Sequence, residues 1–182
     1  MSNTIPVLVA LEEELPFDLP APYVKVITGV GKIKSTMAAT EAVLKYNPRN
    51  IINFGTAGSL DPSLSIGIHS VGSVGQRDMD ASPLGWEVGQ TPFSGELWLD
   101  LKNTGVTLTT GDNFVTKQPP LASVLVDMEA YGIAMVCNKY NVVLDCYKYV
   151  SDFADENSTT DWAKNCADGA DEFMAILSNL GD

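Results

Sequence analysis

The amino-acid sequence predicts an α/β protein of three layers, in which helices flank a mixed, mostly parallel central sheet. Short apolar, β-branched segments alternate along the chain with segments of helical periodicity, which is the order expected of βαβ units. Acidic residues follow directly after several of the apolar segments, as is typical of sites at the carboxyl ends of parallel strands. The 182 residues are enough for one hydrophobic core, so we expect residues 1–182 to form a single domain.

Three apolar segments in the first third of the chain predict buried strands at residues 5–10, 23–28 and 50–54. A glycine turn at residues 29–31 follows the second strand. Lys32–Tyr46 is rich in good helix formers and has apolar residues at helical spacing, so it is predicted to be a helix that ends before Pro48. The third strand is predicted to enter a glycine-rich turn at residues 55–59.

Four further segments predict strands at residues 66–77, 106–110, 121–126 and 142–150. Residues 78–94 contain prolines and glycines and predict a long loop, which is a common place for functional residues. Helical patterns predict a helix at residues 130–140 and a last helix at residues 161–180. We find no internal repeat and no linker.

Charge and cysteine content exclude several classes of function. A net charge of −12 repels nucleic acids and anionic membranes, and no apolar run is long enough to span a bilayer. Cys137, Cys146 and Cys166 show no paired spacing, which indicates reduced thiols and predicts a cytoplasmic protein. Because His69 is the single histidine, we expect no metal site and no cofactor.

The acidic residues that follow predicted strands are the first candidates for a site. Residues 12–14, Asp127, Glu129 and Asp152 each lie just past such a strand end, where ligand crevices form in open α/β sheets. The alternative interpretation is that they cap helices or lie in solvated turns. Short glycine patterns near residues 29–31 and 55–58 do not match a complete nucleotide-binding motif.

Several motifs in order identify a resemblance to a known family: residues 10–14 (ALEEE), 28–32 (TGVGK), 51–58 (IINFGTAG), 84–90 (LGWEVGQ), 110–115 (TGDNFV), 126–130 (VDMEA) and 150–152 (VSD). Together they resemble the methylthioadenosine/adenosylhomocysteine nucleosidases of the purine nucleoside phosphorylase superfamily. The resemblance implies a nucleoside phosphorylase-like fold. The chain is shorter than usual for that family between Glu14 and Tyr23 and between Gln90 and Val106.

The resemblance also implies roles for three acids. Asp152 matches the general acid that protonates purine N7, and Glu14 matches the group that activates the attacking water. Glu129 matches the carboxylate that binds ribose hydroxyls and stabilises positive charge on the sugar ring. The shared chemistry is glycoside cleavage through an oxocarbenium-like transition state, which a well-placed anion stabilises.

Further residues enter the predicted substrate site through the same resemblance: Leu11, Val30, Thr56, Ala57, Gly58, Trp86, Phe114, Val115, Asp127, Met128, Lys148 and Ser151. Phe114 would stack on the base, with burial in the core as the alternative, and the backbone of Val115 would contact the edge of the base. Met128 and Leu11 would line the sugar and its 5′ substituent. Lys148 stands where the family carries arginine. The loop that contains Trp86 would cover the pocket of a neighbouring subunit in a homodimer.

Hydrolysis is favoured over phosphorolysis because residues 51–54 lack the phosphate-binding arginine that bacterial hexameric phosphorylases carry there. Glu14 also supplies a base that an anionic phosphate does not need. The default substrate is 5′-methylthioadenosine or adenosylhomocysteine. The alternatives are a phosphorylase, a nucleosidase for another purine-like base, and a relative that binds nucleosides without catalysis.

Overall fold

The computed structural model describes residues 4–94, 96–155 and 158–180, which contain eight strands and four α-helices. The strands are β1 (Ile5–Val9), β2 (Tyr23–Ile27), β3 (Asn50–Ser59), β4 (Ile68–Gln76), β5 (Trp98–Asp100), β6 (Val106–Thr110), β7 (Leu125–Asp127) and β8 (Val143–Asp152). The helices are α1 (Lys32–Tyr46), α2 (Ala130–Tyr140), α3 (Ser158–Asn165) and α4 (Ala170–Leu180), and short 3₁₀ turns lie at Glu12–Glu14 and Ser82–Leu84.

The strands form one sheet with the order β2-β1-β3-β7-β6-β4-β5, and β8 pairs with both β3 and β4. Within the described residues the pairs β3–β7, β4–β5 and β4–β8 are antiparallel, whereas the other five pairs are parallel. The mixed, mostly parallel sheet that the sequence predicts is therefore confirmed. The long parallel pairing of β3 with β8 brings the ends of both strands to the same edge of the sheet.

Helices cover both faces of the sheet because side chains alternate along the strands. On one face, Leu8 and Ile51 belong to a buried cluster with Ile133 of α2 and apolar residues of α1. On the other face, Val7 packs in a second cluster with α4, where the ring of Phe173 stacks on a β3 phenylalanine at 4.1 Å. Two cores on opposite faces of one sheet make the three layers.

The segment 55–59 is strand and not the predicted turn. β3 runs through to Ser59, pairing with β8 as far as Gly58 and with β7 at its end, and a bulge lies between Ala57 and Gly58. The small side chains of this segment let neighbouring groups approach closely, so glycine here serves packing and not chain reversal. The consequence is that residues 56–58 hold fixed positions in the sheet.

The last helix is two helices, which corrects the prediction of one helix at residues 161–180. α3 ends at Asn165 and α4 begins at Ala170. Between them Gly169 lies against the ring of Tyr149, where an added Cβ would come within 2.5 Å of Cγ. The close contact with the sheet turns the chain, and it separates α3 from the face that α4 covers.

Smaller differences concern short elements. The sequence did not predict the 3₁₀ turn at Glu12–Glu14 or the edge strand β5. β7 covers residues 125–127 and is shorter than the predicted strand at 121–126. No helix in the described part of the chain has the length and apolar character needed to cross a membrane.

Candidate active site

A cavity of about 330 Å³ lies at the sheet edge where β1, β3, β7 and β8 end. Of the residues predicted for the site, those that line this cavity are Leu11, Glu14, Val30, Thr56, Ala57, Gly58, Phe114, Val115, Asp127, Met128, Glu129, Ser151 and Asp152. Trp86 and Lys148 do not line it. Residues from distant parts of the sequence thus meet in one hollow, as the strand-end positions of the acids predict.

Glu14 lies in the 3₁₀ turn after β1 and is buried. Its Oε2 accepts hydrogen bonds from the backbone N–H groups of Ala10 at 3.0 Å and Leu11 at 3.1 Å. Its Oε1 accepts from the backbone N–H and from the hydroxyl of Thr56, both at 2.9 Å. Carboxylate oxygens accept hydrogen bonds, and all four of these groups are donors. Together they hold the Glu14 side chain in one orientation before any substrate arrives.

Asp152 ends β8 and is almost fully buried. Its Oδ2 accepts the hydroxyl of Ser151 at 2.9 Å, and its Oδ1 accepts the backbone N–H of Ala154 at 2.9 Å. Burial raises the pKa of Asp152 above its usual range, although both hydrogen bonds oppose this shift. An aspartic acid that keeps its proton more readily than usual is suited to donate that proton to a substrate.

Gly58 makes room for Asp152. A Cβ at this position would come within 2.8 Å of Oδ1 of Asp152. No real side chain can be placed so close without moving the carboxyl group. The backbone of β3 thus forms the wall against which Asp152 lies.

Glu129 accepts a hydrogen bond from the backbone N–H of Gly31 at 3.0 Å. Burial and then the negative charge of Asp127 raise the pKa of Glu129 to about 7, while Lys148 lowers it. The charge of Glu14 makes a smaller contribution that also raises the pKa of Glu129. The site therefore gathers several acidic groups within one cavity.

Lys148 lies behind the cavity wall and not in it. Its Nζ is 2.8 Å from Oδ2 of Asp127, and the two side chains are only 1% and 0% exposed. Burial opposes the charge of Lys148, yet Asp127 more than compensates and raises its pKa above the usual range. Asp127 also accepts the hydroxyl of Thr110 at 2.5 Å and the backbone N–H of Ala130 at 2.9 Å. Lys148 thus balances the charge of a residue that lines the cavity.

Phe114 and Trp86 occupy different surroundings. Phe114 lines the cavity and is 46% exposed, so the alternative of a core phenylalanine is wrong. Trp86 packs edge-on against Phe93, with ring centroids 5.4 Å apart, in the loop between β4 and β5. It has no part in the cavity of its own chain, and its predicted role over a neighbouring subunit stays a prediction.

Five residues that line the cavity were not predicted: Ala10, Arg77, Asn113, Val126 and Trp162. Ala10, Asn113 and Val126 adjoin predicted residues in sequence, and Arg77 is the last residue of the strand predicted at residues 66–77. The exception is Trp162, which falls within the predicted last helix and was not placed in the site. In the structure it belongs to α3, and its indole Nε1–H donates to the hydroxyl oxygen of Thr56 at 2.9 Å.

Arg77 ties together three strand ends beneath the cavity. Its Nη1 donates to the carbonyl oxygens of Thr109 and Asp127, both at 2.7 Å. Its Nη2 donates to the carbonyl oxygens of Gly111 at 3.2 Å and Asn113 at 2.6 Å. The planar fork of the guanidinium group, with its fixed N–H directions, suits such a set of acceptors. The turn that carries Phe114 is thereby fastened to β7.

The cavity brings together one group that can act as an acid and one that can act as a base. Asp152 can deliver a proton, and Glu14 can accept one from a bound water. Glu129 places a third carboxyl group in the same cavity. Among the described residues no group of three or more histidine, cysteine or carboxylate side chains is arranged to hold a metal ion.

The amino-acid sequence is similar to those of known nucleosidases. The family model of the phosphorylase superfamily matches residues 21–98. A 5′-methylthioadenosine/S-adenosylhomocysteine nucleosidase of Staphylococcus haemolyticus is 29% identical over 179 residues, which cover 84% of this chain and 78% of the relative. The nucleosidase of the same name from Buchnera aphidicola is 30% identical over 166 residues, which cover 77% of this chain and 70% of the relative.

A solved structure shows a similar fold. The crystal structure of a mutant Helicobacter pylori nucleosidase with 5′-methylthioadenosine in its active site matches with a TM-score of 0.89 at 20% identity. The match covers 100% of this chain and 99% of the other. This similarity confirms the predicted three-layer α/β architecture.

Proposed function

Because the chain belongs to the 5′-methylthioadenosine/S-adenosylhomocysteine nucleosidase family, we propose that it hydrolyses the N-glycosidic bond of a purine nucleoside. The default substrates are 5′-methylthioadenosine and adenosylhomocysteine, the compounds in the names of its relatives. The observation that carries the proposal is the meeting of Glu14, Glu129 and Asp152 around one cavity.

Departure of the base is assisted by Asp152. Burial raises its pKa above the usual range, which favours the protonated form that can give a proton to N7 of the purine. The base then leaves as a neutral molecule. The hydrogen bonds that Ser151 and Ala154 donate hold the carboxyl group of Asp152 in place. They also stabilise the negative charge that remains on it after proton transfer.

Attack by water is assisted by Glu14. The four donors around this carboxylate fix its orientation, so a water molecule that donates to it is held in the cavity with its lone pair free to attack. Glu14 takes the proton as the new C–O bond forms. Asp152 and Glu14 thus supply the acid and the base of one hydrolytic reaction.

Glu129 binds the ribose hydroxyls and stabilises the positive charge that develops on the sugar ring. This role needs its ionised form, which Lys148 favours and burial opposes. Phe114 at the cavity mouth stacks on the base, and the backbone of Val115 contacts the base edge. Met128 and Leu11 line the sugar and its 5′ substituent.

The remaining wall residues complete the substrate pocket. Val30, Thr56, Ala57, Gly58, Asp127 and Ser151 line the cavity beside the groups already named. Their part in substrate binding is proposed from this placement. Lys148 acts through Asp127 and does not touch the substrate.

Hydrolysis is favoured over phosphorolysis because the basic side chain at the cavity is already engaged in hydrogen bonds. Among the described residues that line the cavity, Arg77 is the one basic side chain. Its terminal N–H groups already donate to four backbone carbonyl oxygens. A phosphate ion would therefore meet the carboxyl groups of four lining residues and a guanidinium group whose terminal N–H groups are already occupied.

We also propose that two copies of the chain form a dimer in the cytoplasm. Large apolar side chains are exposed on α1, where Ile33 is 75% and Met37 is 60% exposed, and on the loop with Trp86, where Leu84 is 76% exposed. Such exposed apolar groups are typical of interaction surfaces. The three free thiols agree with a reducing compartment. Sedimentation at micromolar concentration should show the dimer, and a monomer alone would contradict it.

The proposed activity is tested by incubating the protein with adenosine, inosine, 5′-methylthioadenosine and adenosylhomocysteine, each with and without phosphate. Chromatography then measures the free base. We expect release of adenine from 5′-methylthioadenosine or adenosylhomocysteine at equal rates in both buffers. Strict dependence on phosphate would instead identify a phosphorylase, and binding without any release would identify a protein that only binds nucleosides.

A further inference from the structure

A chain of hydrogen bonds connects helix α3 to Glu14. The indole Nε1–H of Trp162 donates to the hydroxyl oxygen of Thr56 at 2.9 Å. That hydroxyl donates to Oε1 of Glu14, also at 2.9 Å. Trp162 lies 106 residues from Thr56 in sequence, so the contact exists only when α3 is packed over the cavity.

The direction of this chain follows from the groups involved. An indole N–H can only donate, an ionised carboxylate can only accept, and a hydroxyl has one hydrogen to give. With Trp162 as donor on one side, the hydroxyl hydrogen of Thr56 is directed to Glu14 on the other. A donor at the oxygen of a hydroxyl also polarises it, which strengthens the hydrogen bond it donates.

We propose that Trp162 is a positioning residue that acts through Thr56 to hold Glu14 ready for the attacking water. This inference rests on the proposed function, because it concerns the water-activating role of Glu14. Trp162 fixes the rotation of the Thr56 hydroxyl, and the hydroxyl fixes one oxygen of the carboxylate. The other oxygen is held independently by the backbone of Ala10 and Leu11.

A second hydrogen bond stabilises the position of α3. The side-chain Nδ2–H of Asn165 donates to the carbonyl oxygen of Ser151 at 2.9 Å. Ser151 in turn donates its hydroxyl to Asp152. Helix α3 is thus held next to both proposed catalytic carboxyl groups. Trp162 is linked to Glu14 through Thr56, and Asn165 is linked to Asp152 through Ser151.

Replacement of Trp162 by phenylalanine removes the N–H group and keeps an aromatic ring. The hydroxyl of Thr56 then loses its donor and can rotate away from Glu14. Because a single hydrogen bond contributes on the order of 1 kcal/mol, we expect kcat to fall about fivefold to tenfold. KM should change less than twofold, because the ground-state contacts of the substrate remain.

Kinetic coupling tests whether Trp162 acts through Thr56. The variants are Trp162→Phe, Thr56→Val and the double variant, with Trp98→Phe as the matched control. Trp98 lies on β5 and lines a different cavity, so its replacement removes an indole N–H far from Glu14. We expect the double variant to be no slower than Thr56→Val, while Trp98→Phe keeps the parent kcat.

Three kinetic results would overturn the proposal. They are an unchanged kcat in Trp162→Phe, a change confined to KM, and independent losses that multiply in the double variant. A change confined to KM would mean that Trp162 affects substrate binding, and losses that multiply would mean that Trp162 does not act through Thr56.

Nuclear magnetic resonance tests the hydrogen bond without reference to turnover. The indole N–H signal of Trp162 is assigned by its loss in Trp162→Phe, and its exchange with solvent is measured in the parent and in Thr56→Val. We expect slow exchange in the parent and at least tenfold faster exchange in Thr56→Val. Equal exchange in both proteins would overturn the proposed contact.

The same measurements separate the two proposals. If the parent releases base and Trp162→Phe is as fast, the nucleosidase activity stands and the positioning role is wrong. If the parent releases no base from any nucleoside, both the activity and the positioning role are wrong, whatever the exchange of the indole N–H.

Discussion

Lys148 and Asp127 form an ion pair inside the protein, with 2.8 Å between Nζ and Oδ2 and with both side chains shielded from water. The pair links β7 to β8 within the sheet, and Asp127 also accepts the backbone N–H at the start of α2. Because the two charges cancel, a carboxylate can line the cavity without leaving an uncompensated charge in the core. The stability of the fold and the electrostatics of the site therefore both depend on the contact between Lys148 and Asp127.

Loss of Lys148 is predicted to destabilise the fold strongly. Lys148→Met leaves Asp127 buried without its counter-ion, and breaking such a pair costs about 3–5 kcal/mol in free energy of unfolding. Urea titration measures this change. The exposed Lys117→Met serves as control and should change stability by less than about 0.5 kcal/mol. Adding Asp127→Asn to Lys148→Met should recover part of the loss, and no recovery would contradict the ion-pair explanation.

Replacement of Asp152 is predicted to separate binding from catalysis. Asp152→Asn keeps the shape and the hydrogen bond from Ala154 but cannot deliver an acidic proton. We expect kcat to fall about 10²-fold to 10⁴-fold, while the dissociation constant for 5′-methylthioadenosine, measured by calorimetry, changes little. Asp168→Asn, at an exposed position between α3 and α4, is the control. Full activity in Asp152→Asn would show that another group protonates the base.

Glu129 is predicted to make the protein less stable as the pH rises. Its pKa lies at about 7 in the folded protein against an ordinary value of 4.5. Between these values the folded state binds more protons than the unfolded chain, so the free energy of unfolding falls with increasing pH. The fall attributable to this group is at most about 3.5 kcal/mol and is complete above the folded pKa.

Glu129→Gln should remove this contribution. Urea titrations of the parent and the variant at pH 5 and pH 8 measure it, and Asp152 titrates in both proteins, so its effect cancels in the difference. We subtract the free energy of unfolding of the parent from that of the variant at each pH. This difference should be more favourable to the variant at pH 8 than at pH 5. The same difference at both pH values would mean that the pKa of Glu129 is not raised.

Arg77 is predicted to be a structural clamp for the base-binding turn. Arg77→Met leaves carbonyl oxygens at Thr109, Asp127, Gly111 and Asn113 without their donor, so the free energy of unfolding should fall by about 3 kcal/mol or more. Arg77→Lys, which offers a compact charge and no planar fork, should lie between the parent and Arg77→Met. Equal stability of Arg77→Lys and the parent would show that the fork geometry is unimportant.

The sequence predicts features that depend on local pattern. Apolar runs and helical spacing locate β1, β6, α1 and α2 to within a residue or less. The rule that sites form beyond the carboxyl ends of parallel strands then brings Glu14 and Asp152 together, because both follow such strands. The motif resemblance adds Phe114, whose pattern alone does not distinguish a core residue from a binding residue.

Features that depend on the order of strands in the sheet were not predictable. Lys148 looks like a polar residue of a buried strand until β7 and β8 are both placed beside β3, which brings Asp127 to it. Arg77 acquires its four acceptors only when β4, β6 and β7 lie together. Trp162 has helical spacing that suits a core position, and only the break before α4 shows that its helix serves the cavity instead.

Strand β3 contacts both Glu14, the proposed catalytic base, and Asp152, the proposed catalytic acid. Thr56 holds Glu14, and Gly58, two positions further, is the wall for Asp152. The two points of contact are thus two residues apart on one strand, with the bulge between Ala57 and Gly58 lying between them. A substitution in the loops around the pocket would therefore leave this spacing unchanged, because the backbone of a strand inside the sheet sets it.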